Sequence, residues 1–165
     1  MIEWIDTSGP PLCGALEIAR QWKGGEASSI GQEHTDYDRA CAVADYVGKL
    51  TCGTGEVLVL GDEPLRSAFF VTNQTLAIAR WWSCESAERA VTALLELPSR
   101  LPAIEESVRF QTAATSLIMF DAARHGEEHG DHRLTAIAAG SYLVTSERYE
   151  LPEVFRFLIH RFVRQ

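Results

Sequence analysis

The sequence of 165 residues has no long apolar segment and no excess of positive charge. Its uncharged apolar runs, such as residues 57–60 and 117–120, are four residues long, whereas a helix needs about 18 apolar residues to cross a bilayer. Lys and Arg number 15 against 23 Asp and Glu, which gives a net charge of −8. Binding nucleic acid through its phosphates requires a basic face. The composition therefore argues against a membrane-spanning protein and against a nucleic-acid partner.

The short motifs of common enzyme classes are also missing. The sequence contains no G-x-S-x-G, no phosphate-binding glycine loop, no H-E-x-x-H and no G-x-G-x-x-G. At its start, residues 1–6 show no basic segment followed by an apolar one, so we predict no secretory signal and expect a cytoplasmic location. We predict no cofactor.

Cysteine is scarce and widely spaced. No two of Cys13, Cys41, Cys52 and Cys84 are closer than 11 positions, whereas zinc sites usually pair ligands two to four residues apart. A chain of this length has enough apolar residues for a core without disulfides. We therefore predict four reduced thiols that pack as small apolar side chains.

Histidine is concentrated in one segment, residues 124–132. His125, His129 and His132 share these nine residues with three carboxylates. On a helix the three imidazoles would lie on one face and could bind a metal ion. However, two glycines disfavour a helix, and the segment connects two strand-like runs. We predict a solvated hairpin loop without a metal, and a metal site is the alternative.

Apolar patterning predicts a single α+β domain over residues 1–165, with antiparallel sheet and helices packed on it. Short strand-like runs separated by turns favour hairpins over crossover units. The predicted strands are residues 46–50, 56–60, 65–71, 76–82, 108–112, 117–121, 133–138 and 142–149. The predicted helices are residues 12–22, a short helix capped by Thr35, residues 85–97 and a final helix that begins at Pro152.

Acidic residues are unevenly distributed. Residues 26–63 hold eight carboxylates against Arg39 and Lys49, a local net charge of −6. Clustered acid can steer a basic partner, although most charged runs are merely solvated. Trp81 and Trp82 are neighbours on a predicted strand, so one indole should point into the core and the other away from it. The second indole is either an interface anchor or covered by a helix.

Two carboxylate pairs allow a different interpretation. Asp36 with Asp38, and Asp62 with Glu63, could act as the acid and base of a small hydrolase. The same residues also suit a helix cap and a turn. Because no other part of an active site is visible, a hydrolase remains an alternative, and so does a scaffold or regulatory module.

Three sequence blocks, in this order and spacing, resemble the immunity-protein-21 family of bacterial polymorphic toxin systems. The blocks are Trp4-Ile5-Asp6-x-Ser8-Gly9-Pro10-Pro11-Leu12, Asp36-Tyr37-Asp38-Arg39-Ala40-Cys41-x-Val43-x-x-Tyr46-Val47-Gly48 and Val57-Leu58-Val59-Leu60-Gly61-Asp62-Glu63-Pro64. Arg80-Trp81 adds to the likeness, which is strongest over residues 1–82. The chain departs from the family at Pro10, where the family usually has glycine.

The resemblance implies a non-catalytic inhibitor that binds a cognate protein toxin, with no metal and no cofactor. Many toxins of such systems are nucleases, whose phosphate-binding clefts are basic, so an acidic surface suits that partner. On this basis we predict a toxin-binding surface that contains Asp36, Asp38, Asp62 and Glu63, with Trp82 as an aromatic anchor.

Overall fold

The computed structural model describes residues 1–61 and 63–165, and within them the chain forms ten strands and three short helices. In chain order these are β1 (Pro11–Ala15), α1 (Leu16–Ala19), α2 (Asp36–Cys41), β2 (Gly48–Cys52), β3 (Gly55–Val59), β4 (Ser67–Thr72), β5 (Thr75–Cys84), α3 (Ala87–Leu95), β6 (Ala103–Thr112), β7 (Ser116–Asp121), β8 (His132–Ala136), β9 (Gly140–Leu151) and β10 (Phe155–Arg164). The predicted α+β class is confirmed, with more strand than helix. Among the described residues, no helix has the length and apolarity to span a bilayer.

The strands form two five-stranded antiparallel sheets. The first sheet has the order β2-β3-β1-β7-β8 and the second has the order β4-β5-β10-β9-β6. Three predicted hairpins are confirmed, because β2 pairs with β3, β4 with β5 and β7 with β8. The hairpins predicted between β3 and β4 and between β8 and β9 are wrong, because in each case the two strands lie in different sheets. Because of this strand order, residues that are distant in sequence lie close together at the ends and edges of the sheets.

Three apolar clusters join the two sheets to each other and to the helices that cover their outer sides. The central cluster joins the facing sides of the two sheets and includes Leu58 and Met119 of the first sheet and Ile78 and Phe162 of the second. A second cluster lies on the outer side of the first sheet, where the segment containing α1 and α2 covers it. The third places α3 on the outer side of the second sheet. The inner strands of both sheets are therefore buried on two sides.

The helix predicted from Pro152 onward is wrong, because the chain forms β10 there. This strand lies between β5 and β9, and its residues 157–162 are all buried. Phe162 packs into the central cluster and Ile159 into the α3 cluster. A strand buried on both sides carries apolar residues without alternation, so its pattern also matches helical spacing.

The same ambiguity affects residues 12–22, where a single helix was predicted. The first part is β1, whose five residues are all buried between β3 and β7. Only the four residues of α1 are helical. The helix predicted at residues 85–97 is confirmed but shorter. It is α3, and the hydroxyl of Ser86 caps it by accepting a hydrogen bond from the Arg89 amide at 3.2 Å.

Candidate functional site

The Asp36–Arg39 motif forms the first turn of α2, as the sequence predicts. Thr35 and Asp38 build a capping box, in which the Thr35 hydroxyl accepts from the Asp38 amide at 3.1 Å and the Asp38 carboxylate accepts from the Thr35 amide at 3.2 Å. The Thr35 hydroxyl also donates to the Asp38 carboxylate at 2.8 Å, and this hydrogen bond, together with the one from the Thr35 amide, holds the pKa of Asp38 below its usual range. Asp38 is exposed, so its carboxylate both caps the helix and faces solvent.

Asp36 occupies a different environment from Asp38. Its side chain is 0% exposed, and it accepts hydrogen bonds from the Lys23 amide at 2.8 Å and the Ser29 amide at 2.9 Å. It also forms an ion pair with Arg39 at 2.8 Å. Asp36 therefore ties the connecting loop to α2, since buried carboxylates need this kind of pairing. It presents no surface to a partner.

Two of the blocks that carry the family resemblance meet at the start of β1. A Cβ atom on Gly9 would lie 2.5 Å from Cε2 of Tyr37, so only glycine allows the ring this close. Beside it, the Asp121 carboxylate accepts from the Ser8 amide at 2.7 Å and the Gly9 amide at 3.3 Å. Burial raises the pKa of Asp121, but hydrogen bonds from Ala123, Ser8 and Gly9 outweigh it, so the pKa lies below its usual range.

The second and third blocks meet at Arg80, which is fully buried on β5. One guanidinium nitrogen, Nη1, donates to the Tyr46 carbonyl at 3.2 Å. The other, Nη2, donates to the Glu63 carbonyl. Because one side chain bonds both carbonyls, the backbones of Tyr46 and Glu63 lie next to each other. The Glu63 side chain is exposed, and Asp62 lies outside the described residues.

The two tryptophans at the end of β5 point to opposite sides of the sheet, as predicted. Trp81 packs into the α3 cluster, with its ring 5.1 Å from the Trp4 ring. Trp82 lies on the other side and is half-buried. Its ring meets the Tyr46 ring edge-on, with 5.7 Å between centroids. Part of the Trp82 indole is therefore exposed to solvent, at one end of the sandwich that the two sheets form.

Sequence reasoning missed three neighbours of Trp82. The Arg148 guanidinium lies 5.8 Å from the Trp82 ring centroid. The Glu106 carboxylate accepts from the Tyr46 amide at 2.8 Å. Tyr46, Glu106 and Arg148 come from three separate parts of the chain, and no local motif links them. Only Tyr46 had a signal, because it belongs to the second block.

A protein-family profile covers all three of the sequence blocks. The profile of a family described as Immunity protein 21 matches residues 3–152. The chain belongs to the Immunity protein 21 family. No curated protein and no solved structure matches this sequence. Membership supports an immunity role in general, and such a role implies binding to a cognate toxin.

The Immunity protein 21 match ends before β10, although β10 is the middle strand of the second sheet. Immunity protein families are in general non-catalytic, and Asp36 and Asp38, one of the two carboxylate pairs considered as an acid and a base, do not face a common site. Asp36 is buried in an ion pair, whereas Asp38 is exposed in a helix cap. A cleft of about 570 Å³ lies elsewhere, lined by Cys84, Arg89 and Phe155 among others.

In this Immunity protein 21 chain, residues 124–131 lie in the loop between β7 and β8, as predicted, whereas His132 is the first residue of β8. The rings of His129 and His132 lie 4.1 Å apart, and Nδ1 of His125 accepts from the Glu127 amide at 3.3 Å. Within the described residues, no group of three or more potential ligands is placed to hold a metal ion.

All four cysteines are free thiols. Burial raises the pKa of the Cys52 thiol to about 11, and it also raises the pKa of Cys13. A thiol attacks as the thiolate, so these two side chains are poor nucleophiles at neutral pH. Cys13 and Cys52 pack as apolar side chains in the clusters on either side of the first sheet, and this packing explains why they are buried.

Proposed function

We propose that this chain neutralises a cognate bacterial toxin of a polymorphic toxin system by binding it in the cytoplasm, without catalysing a reaction. The observation that carries the proposal is the family match over residues 3–152. The excess of acid in residues 26–63 supports a toxin with a basic surface, and a nuclease is one such toxin.

We further propose that the residues of the predicted set that reach the surface, fully or in part, contact the toxin. These are Asp38, Glu63 and Trp82, and Asp62 belongs to the same proposal. Asp36 has an indirect role, because its buried ion pair with Arg39 supports the α2 segment from within. Substituting Asp36 would therefore test folding and not binding.

A rescue assay tests the function. Cells would express the toxin domain encoded by the gene next to this one, with and without the present chain. We expect growth arrest with the toxin alone and restored growth with both. An inactivated toxin domain is the control for expression burden. If the intact chain gives no protection and does not bind the purified toxin domain, the proposed function is wrong.

A further inference from the structure

The end of the sandwich around Trp82 combines features that no other part of the predicted set has. We define the Trp82 face as Tyr46, Glu63, Trp82, Glu106 and Arg148. Tyr46 and Trp82 are half-buried aromatic side chains in edge-on contact at 5.7 Å. Partly exposed Trp and Tyr, with little freedom to move, are typical anchors of protein interfaces.

Arg80 fixes the geometry of this face from inside the protein. It is fully buried and donates to the backbone carbonyls of both Tyr46 and Glu63. The Glu106 carboxylate accepts a hydrogen bond from the Tyr46 amide at 2.8 Å. The loop that carries Tyr46 is therefore held at its amide and at its carbonyl. A surface held in this way loses little conformational freedom when a partner binds.

The charge of the Trp82 face is mixed but mainly negative. Glu63 is exposed, Glu106 is half-buried, and the exposed Asp45 precedes Tyr46. Arg148 is the one cation of the defined set, and among the described residues its guanidinium takes part in no ion pair. It lies 5.8 Å from the Trp82 ring centroid. The indole therefore already accepts a guanidinium on its face.

We propose that the Trp82 face docks a basic surface of the toxin, with an arginine or lysine of the toxin placed against Trp82 and the flanking carboxylates. This inference rests on the proposed function. Arg148 then occupies, in the free protein, the position that the toxin's cation takes in the complex. A basic toxin would be repelled by Arg148 and attracted by Glu63, so the two charges should have opposite effects on binding.

The test measures affinity and association rate between the full chain and the neighbouring gene's toxin domain, carrying an inactivating substitution. Trp82→Ala should weaken binding about 30-fold, as truncation of an interface anchor does, and Trp82→Phe should restore most of it. Glu63→Lys should slow association on the order of tenfold at low salt, with a smaller effect at high salt. Arg148→Gln should bind as tightly as the unmodified chain or a few-fold more tightly.

Glu17→Lys is the matched control for Glu63→Lys. Glu17 is an exposed acid on α1, and α1 contacts the Gly55 end of β3 through Ile18, whereas Glu63 follows the other end of that strand. The control should bind like the unmodified chain. Thermal unfolding of each variant checks its fold, and if Trp82→Ala does not fold, the two exposed charge variants and Trp82→Phe decide.

Two kinds of failure are distinguishable. If the unmodified chain does not bind the toxin, both the proposed function and this inference are wrong. If the unmodified chain binds but Glu63→Lys behaves like Glu17→Lys, or Arg148→Gln weakens binding, the toxin docks elsewhere. Hydrogen exchange of the complex gives a second reading, since protection should rise at residues 45–48 if the Trp82 face is covered.

Discussion

At the scale of single residues, buried charged and polar side chains organise the segments that carry the family motifs. Arg80 joins the loops at Tyr46 and Glu63, and Asp36 joins the connecting loop to α2. Arg80 bonds backbone carbonyls from two other parts of the chain, whereas Asp36 bonds the nearby Lys23 and Ser29 amides and pairs with Arg39. Breaking a buried pair by removing one partner typically costs about 3–5 kcal/mol. We therefore expect substitutions at these residues to act on the folding of the chain.

His160 is the buried residue with the clearest consequence for pH dependence. It is 0% exposed, its Nδ1 lies 3.0 Å from the Ser146 hydroxyl, and Nε2 has no hydrogen-bond partner among the described residues. Burial, together with the positive charge of Arg80, holds the pKa of His160 well below its usual range. The unfolded chain therefore takes up a proton at a higher pH than the folded chain does.

We expect the free energy of unfolding to fall as the pH drops below about 6.5, the ordinary pKa of histidine. His160 should contribute a slope of up to about 1.4 kcal/mol per pH unit until the pH reaches its folded-state pKa. Urea unfolding between pH 7.5 and 5 measures this slope. His160→Gln should lose it, whereas the exposed His34→Gln should keep it. An unchanged slope in His160→Gln would contradict the assignment.

At the scale of elements, turns between strands were easier to predict than the identity of strands buried on both sides. The β4–β5 turn consists of Asn73 and Gln74, with φ of 48° and 63°. When both residues of a two-residue hairpin turn have the left-handed backbone conformation, the twist of the turn matches the twist of the two strands that it joins. Asn tolerates this conformation well, whereas Gln does so at a cost.

Gln74→Gly should therefore raise the free energy of unfolding by about 0.5–1 kcal/mol, since glycine adopts positive φ without steric strain. Chemical denaturation measures the change, and Gln74→Ala is the control, with an expected change near zero. A destabilised Gln74→Gly variant would show that the Gln74 side chain contributes contacts that outweigh its backbone strain.

At the scale of the whole molecule, the second sheet depends on a strand beyond the family match. β10 pairs with both β5 and β9, and it adds Phe157 and Ile159 to the α3 cluster and Phe162 to the central cluster. A chain that ends at residue 152 would lose these side chains and leave two strand edges unpaired.

We expect such a chain, residues 1–152, not to fold cooperatively. Fully burying each large apolar side chain contributes about 1.5–3 kcal/mol, so losing these three alone approaches the total stability of about 5–15 kcal/mol of a typical domain. Circular dichroism and thermal unfolding would show a transition in the full chain and none in the truncated one. A cooperative transition in residues 1–152 would refute this dependence.

The effect of the net charge of −8 on a partner depends on where the acidic residues lie in the structure. Within the predicted set, Asp36 is buried in the structure, Asp38 caps a helix, and Glu63 is exposed and bonds Arg80 through its backbone carbonyl. Charge counting treats these three as equal, although only exposed charges act on a partner at long range. The predicted binding surface stays a prediction, and the structure narrows the part of it that a toxin could reach.

The sequence by itself determined the class of the fold, three of its hairpins, the capped helix at Thr35 and the family, because each depends on residues close together in the chain or on ordered motifs. It misassigned β1 and β10, since burial on both sides removes the alternation that identifies a strand. Only the tertiary structure brought Tyr46, Trp82, Glu106 and Arg148 together and separated buried Asp36 from exposed Asp38. Such groupings depend on strand order and packing, which local sequence does not encode.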